Sequence, residues 1–281
     1  MSTAHTLPPL FVSHGSPMIA LEPGATGAFF TRLGRTLDAS FGCPRAILAV
    51  SAHTAARRPV LLAAPRHHTV HDFGGFSDAL YRLRYDAPGA PALAAEVARC
   101  LTAAGVGVEV QDAGGLDHGI WTALMHLWPE PEVPVLPLSL VADAAPDAQF
   151  AIGAALAPLA ETGVLVLGTG SITHNLRLLS WGAGEGGPER PESAAFRHWV
   201  YERGQARDWD ALFDYRRQAP HAALMHPTDE HWLPFYVPAG AGGRAHAPVR
   251  LHDAVTLGAL GMDAYAFGPH AARLHEALEL G

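Results

Sequence analysis

Short apolar runs that stop just before a histidine punctuate this chain. LFVS at 10–13 is followed by His14, and AILAVSAH at 46–53 ends on His53. Both runs have the length and aliphatic content of buried strands, and the glycine and proline of HGSP predict a tight loop after the first. A third run, VLVLGTG at 164–170, leads through Ser171, Ile172 and Thr173 to His174. Further strands are expected in PVLLAA (59–64), VGVEV (106–110) and PVLPLSL (134–140), and GMDAYAFG near the carboxy terminus returns to the sheet.

Helical spacing separates these runs. APALAAEVARCLTAAG predicts a helix from Pro91 to a stop at Gly105, and DAQFAIGAALAPLAETG predicts one over 147–162, weakened at Gly153 and Pro158. AFRHWVYERGQARDWDALFDY makes one helix or two, broken near Gly204, and HAARLHEALEL makes a terminal one. HHTVHDFGGF reads as a loop, and WGAGEGGPERPES at 181–193 as an excursion rather than a linker. Alternating helices and buried strands predict α/β architecture: one domain over residues 1–281, with a central, mostly parallel or mixed sheet covered by helices.

Composition narrows the function. The 281 residues are 49% hydrophobic, enough for one substantial core. With 27 acidic and 19 basic residues the formal charge is -8, which argues against nucleic acid or an anionic membrane as partner. No dinucleotide-binding glycine loop, phosphate-cradling loop or nucleophile elbow is present. Two cysteines, Cys43 and Cys100, form neither a disulfide framework nor a CxxC pair, so a cytoplasmic location is expected. The amino-terminal segment lacks the pattern of an export signal, and no apolar run reaches the length of a membrane helix. A monomer and a homo-oligomer both fit this chain.

The chemistry then falls on the histidines. Of 17, the informative ones are His14, His53, His118 in GGLDHGIW, His174 and His231 in PTDEHWLP. Neutral imidazoles bind iron or zinc when loops bring them together, and buried histidines also serve as structural hydrogen-bonding groups. Both readings stand on spacing alone.

FVSHGSPM, AVSAH, HDFGGF, LDHGIW, GSITHN and HPTDEHWLP, in that order, resemble the class III extradiol ring-cleavage dioxygenases, in particular the DOPA 4,5-dioxygenase-like branch. The resemblance spans His14 to Pro234. It implies a mononuclear non-haem metal site, Fe(2+) for activity with Zn(2+) as the other metal imidazoles accept, and a small catechol and dioxygen as reactants. By the same resemblance His14, His53 and His231 are the metal ligands, with His174 or Glu230 as alternative ligands. His174 is the expected proton-transfer residue, with capping of the following helix as its structural alternative, and His118 is expected to contact substrate or oxygen. The stretch Thr169-Gly170-Ser171-Ile172-Thr173 departs from the family's usual residues before this histidine, a change that reshapes the pocket wall. Phe73, Phe76, Trp121 and Trp232 are candidate pocket walls, each equally able to pack in the core. His71, Asp72 and His226 are candidate supports for the ligands, whereas Asp117 is a weaker one. A zinc-dependent hydrolase and a non-enzymatic metal-binding protein are the alternative functions.

Overall fold

The computed structural model describes residues 6–182 and 187–280. Six strands build the central sheet: β1 (Leu10–Ser13), β2 (Ala46–Ser51), β3 (Val135–Pro137), β4 (Val164–Gly170), β5 (Val249–His252) and β6 (Ala264–Ala266). Their order is β3-β2-β4-β1-β6-β5. The first four are mutually parallel, while β6 runs antiparallel to β1 and β5 antiparallel to β6. The sheet is therefore mixed and mostly parallel, as the alternation of helix and strand predicts.

Period-two alternation divides the core between its two faces. Phe11, Leu48, Val50, Val164 and Val166 pack under α2 (Pro91–Ala103), α4 (Pro146–Ala160), α5 (Pro191–Gln205) and α6 (Tyr236–Gly242). Leu10, Val12, Ile47, Ala49, Leu165 and Leu167 pack on the other side against α1 (Gly24–Phe41), α3 (His118–Leu127) and α7 (Ala271–Leu280). Such layers bury every strand of the parallel part on both faces.

Several expectations shift in detail. VGVEV yields only Glu109–Gln111, which pairs with Val60–Leu62 of PVLLAA in a separate two-stranded sheet. These residues are largely exposed, so they extend the edge of the fold instead of entering its core. PVLPLSL splits: Val135–Pro137 joins the central sheet, and Leu140–Val141 pairs with Ala55–Ala56. The helix over 91–105 ends at Ala103, with Gly105 at φ +77 as its stop. Pro158 lies within the last turn of α4, where the helix continues to Ala160. The excursion beginning at Trp181 falls partly on residues 183–186, outside the described residues.

Parallel registry sets the position of the site. Ser13 pairs with Gly170 and Ser51 with Thr169, so β1, β2 and β4 end together at one sheet edge. Loops leaving the carboxyl ends of parallel strands converge there, the usual place for a binding site in this architecture. His14, His53 and His174 all lie just beyond those ends.

Candidate metal centre

Five imidazoles meet at this edge. His14 lies within 5.1–5.5 Å, ring centre to ring centre, of His53, His118 and His231. His53 is 4.0 Å from His118 and 4.9 Å from His231, and His174 stacks on His231 at 3.4 Å. Two sets have ligand atoms within 4.8 Å of one another: His14, His53 and His118, and His174, Glu230 and His231. The chain can therefore hold a metal.

Hydrogen bonds fix which nitrogen of each ring is free. The hydroxyl of Thr169 donates to the Gly119 carbonyl at 2.8 Å, so it accepts from Nδ1–H of His14 at 2.9 Å. That leaves Nε2 of His14 with its lone pair. Asp72 sets His118 in the same way, with one carboxylate oxygen 3.0 Å from its Nδ1, and that oxygen also makes a longer, 3.5 Å electrostatic contact with Nδ1 of His53. Its other oxygen accepts from the His118 backbone N–H at 2.8 Å. Burial opposes ionisation of Asp72, but the hydrogen bonds and charge of His118 outweigh it and keep the pKa below the usual value. Nε2 of His53 lies 3.2 Å from Nε2 of His14. Two imidazoles on one metal at about 2.1 Å each place their nitrogens this far apart. The donor set fits an iron or zinc ion.

Backbone geometry holds the rings close. Asp117 caps α3 by accepting from Ile120 N–H at 3.2 Å, and it accepts from the hydroxyls of Ser51 at 2.7 Å and Thr54 at 2.5 Å. These bonds tie the start of α3, and so His118, to the end of β2. Gly119 follows, where an added Cβ would lie 3.0 Å from the His14 ring. At Gly170 a Cβ would come within 2.2 Å of the His231 carbonyl oxygen, which Ser171 N–H holds at 2.8 Å. Both glycines are required for close approach.

Burial and neighbouring imidazoles hold His14, His53, His174 and His231 neutral. Burial, reinforced by His118 and His231, lowers His53 to about 3, and burial with His231 and His226 lowers His174 to about 2. Burial likewise depresses His14 and His231. Glu230 is lowered to about 2, chiefly by its hydrogen bond with His231, whose Nδ1 lies 3.2 Å away. Neutral imidazoles are the form that coordinates metal or accepts a proton.

The remaining candidates divide. Phe73 packs edge-on to His118 at 5.6 Å and to Phe76 at 5.5 Å, both rings being partly buried. Trp121 is fully buried behind that loop, donating from its indole to the Val70 carbonyl at 3.0 Å. Trp232, expected as a pocket wall, is instead wholly buried among Phe196, Phe235 and Tyr236. Its large apolar ring is more stable in that aromatic cluster, so it supports the His231 loop from behind. His71 turns towards Arg84, 3.4 Å away. His174 does not cap the 3₁₀ turn that follows, because Asn175 does so through Arg177 N–H at 3.1 Å. Thr169, Ser51 and Thr54 were not foreseen as supports. Their signal was small hydroxyl residues at the ends of apolar strands.

His226 holds the His174 turn, with Nε2 2.8 Å from the Ile172 carbonyl. Burial lowers its pKa from 6.5 to about 3. Below pH 6.5 the unfolded chain takes up a proton that the folded chain refuses, so stability is full above that pH and falls as the pH drops towards 3. His226 alone contributes a slope of up to ~1.4 kcal/mol per pH unit in this window. Urea unfolding of the metal-free protein should show that decline, and His226→Gln should flatten it. An equal slope in the variant would contradict this assignment.

A mixed α/β sheet that gathers histidines beyond the carboxyl ends of its parallel strands has the donor set of a metal-binding catalytic domain. The chain belongs to the family described as the catalytic LigB subunit of aromatic ring-opening dioxygenase, whose model matches residues 8–268. It is an extradiol ring-opening dioxygenase. Over 263 residues it is 33% identical to the 4,5-DOPA dioxygenase extradiol of Beta vulgaris, covering 92% of this chain and 95% of the relative. The protein of that name from Escherichia coli K12 is 34% identical over 240 residues, 84% of this chain and 85% of the relative. The crystal structure of uncharacterized protein JW3007 from Escherichia coli K12 superposes with a TM-score of 0.75 at 28% identity, covering 93% of this chain and all of that one.

Proposed function

We propose that this chain opens a catechol of DOPA-like size or smaller by extradiol cleavage with dioxygen, at one iron(II) held by His14, His53 and His231. The observation that carries this reading is the 3.2 Å approach of Nε2 of His53 to Nε2 of His14, whose other nitrogen is held by Thr169. The ring centre of His231 lies 5.5 Å from that of His14 and 4.9 Å from that of His53, and one oxygen of Glu230 accepts from both His231 and the Thr228 hydroxyl, the latter at 2.9 Å. Glu230 therefore serves as the anchor of His231. Bound iron supplies the Lewis acidity and electron transfer that let a catechol react with dioxygen.

The side chains around that ion have separable tasks. His174, neutral and stacked on His231, accepts a hydroxyl proton from the catechol and returns a proton as the ring opens. His118, held by Asp72 through Nδ1, offers Nε2 to the oxygen-bearing side of the substrate. Phe73 and Phe76 form an aromatic wall for the ring. Zinc fits the same nitrogens but has no redox chemistry, so zinc-loaded protein binds catechol without turning it over. The whole chain works as a single catalytic domain, and its free Cys43 and Cys100 suit a reducing cytoplasm. Among the described residues no helix is long and apolar enough to cross a membrane.

A panel of catechols with iron- and zinc-reconstituted protein tests the proposal. Iron-dependent formation of a ring-opened semialdehyde acid is expected; turnover with zinc, or hydrolysis without oxygen, would favour a hydrolase. Asp72→Asn should weaken both metal retention and turnover by roughly 10–100-fold, because its carboxylate orients His118 and contacts His53. Unchanged metal titration in that variant would remove Asp72 from this role.

A further inference from the structure

Beneath the turns that carry His14 and His174 lies a buried charge cluster. Arg197, on α5, has a side chain only 7% exposed, yet it meets three carboxylates. Its Nε donates to Asp263 at 2.7 Å and Nη2 to the other oxygen of Asp263 at 3.1 Å, a bidentate pair. Nη1 donates to both oxygens of Glu189 at 3.0 and 2.9 Å, and Nη2 also donates to Asp253. Burial raises the pKa of Asp263 against the opposing pull of Arg197, so this carboxylate depends on its partner.

A chain of hydrogen bonds runs outward from Arg197 to the site. Through Asp263, the carbonyl oxygen accepts from Ser13 N–H at 3.2 Å and from the Ser13 hydroxyl at 2.8 Å, one residue before His14. The Ser13 hydroxyl oxygen also accepts from Ile172 N–H at 3.3 Å, two residues before His174, which joins the two turns directly. Glu189 accepts from the Ser193 hydroxyl at 2.8 Å, and that hydroxyl packs 3.4 Å from the one on Thr173. Thr173 is fixed further by Gly261 N–H at 2.8 Å and the Ala259 carbonyl at 2.9 Å.

We infer that Arg197 is a positioning residue that fixes the separation of His14 from the stacked His174–His231 pair, acting through Asp263 on Ser13, whose hydroxyl holds the Ile172 N–H of the His174 turn. A planar fork with five donors can hold all three carboxylates at once. A lysine ammonium keeps the charge but cannot span them. This inference rests on the metal-centre reading above, because the separation matters only if those rings share an ion.

Cobalt(II) titration of the full-length protein, read by visible absorption, tests it with Arg197→Lys and Ser13→Ala. Ser13→Ala keeps every ion pair and the Ser13 backbone bond, and removes the hydroxyl that joins Asp263 to Ile172. Arg197→Lys should bind cobalt about tenfold more weakly with an altered ligand-field band, and kcat with iron should fall by about tenfold at nearly constant KM. Ser13→Ala should show a smaller change of the same kind in both the cobalt spectrum and kcat. Variants with lower thermal stability but wild-type cobalt spectra and kcat would overturn the positioning role. Wild-type protein without a histidine-type cobalt spectrum would instead overturn the metal-centre reading itself.

Discussion

His14→Ala is expected to abolish metal retention and to lower ring-opening by roughly 10³-fold or more, since the coordinated ion supplies several kcal/mol of transition-state stabilisation. The ring is buried and its Nδ1 is tied to Thr169, so neighbouring side chains cannot substitute for the lost nitrogen. His53→Ala and His231→Ala should behave alike. Glu230→Gln should keep the ion, because the amide oxygen still accepts from His231. Metal content by atomic emission after gel filtration distinguishes these outcomes. A His231→Ala protein that retains stoichiometric iron while Glu230→Gln loses it would reverse the assignment of the third ligand.

The second large effect separates chemistry from metal binding. His174→Ala should retain iron and catechol affinity while kcat falls by about 10²–10⁴-fold, the range expected when a general acid-base is removed. The imidazole lies 3.4 Å from His231, ring centre to ring centre, and burial keeps it neutral. Single-turnover spectra with pre-bound catechol report the step directly. Loss of iron in this variant would make His174 a ligand, and an unchanged rate would remove it from proton transfer.

Much of this site was legible in the chain because two kinds of signal coincide there. Period-two apolar runs locate the ends of β1, β2 and β4, and a histidine follows each, so His14, His53 and His174 could be placed at one sheet edge. The bond between Asp72 and His118 spans 46 residues and depends on how a loop folds over the start of α3. No local pattern encodes it. Trp232 shows the converse limit: an aromatic beside a ligand reads equally as wall or core, and only the packing against Phe235 decides. VGVEV has the composition of an inner strand, yet its neighbours leave it at an edge. Helix α1 is hard to read from the chain because glycine and threonine interrupt it, although Phe30, Leu33, Leu37 and Phe41 follow helical spacing.

The most direct test is an anaerobic, iron-reconstituted sample given a catechol and then a measured pulse of oxygen, with product mass and oxygen uptake recorded together. The account predicts equimolar consumption of catechol and dioxygen and a yellow ring-opened product containing both oxygen atoms. Oxygen consumed without that product, or catechol returned intact from iron-loaded protein, would contradict it.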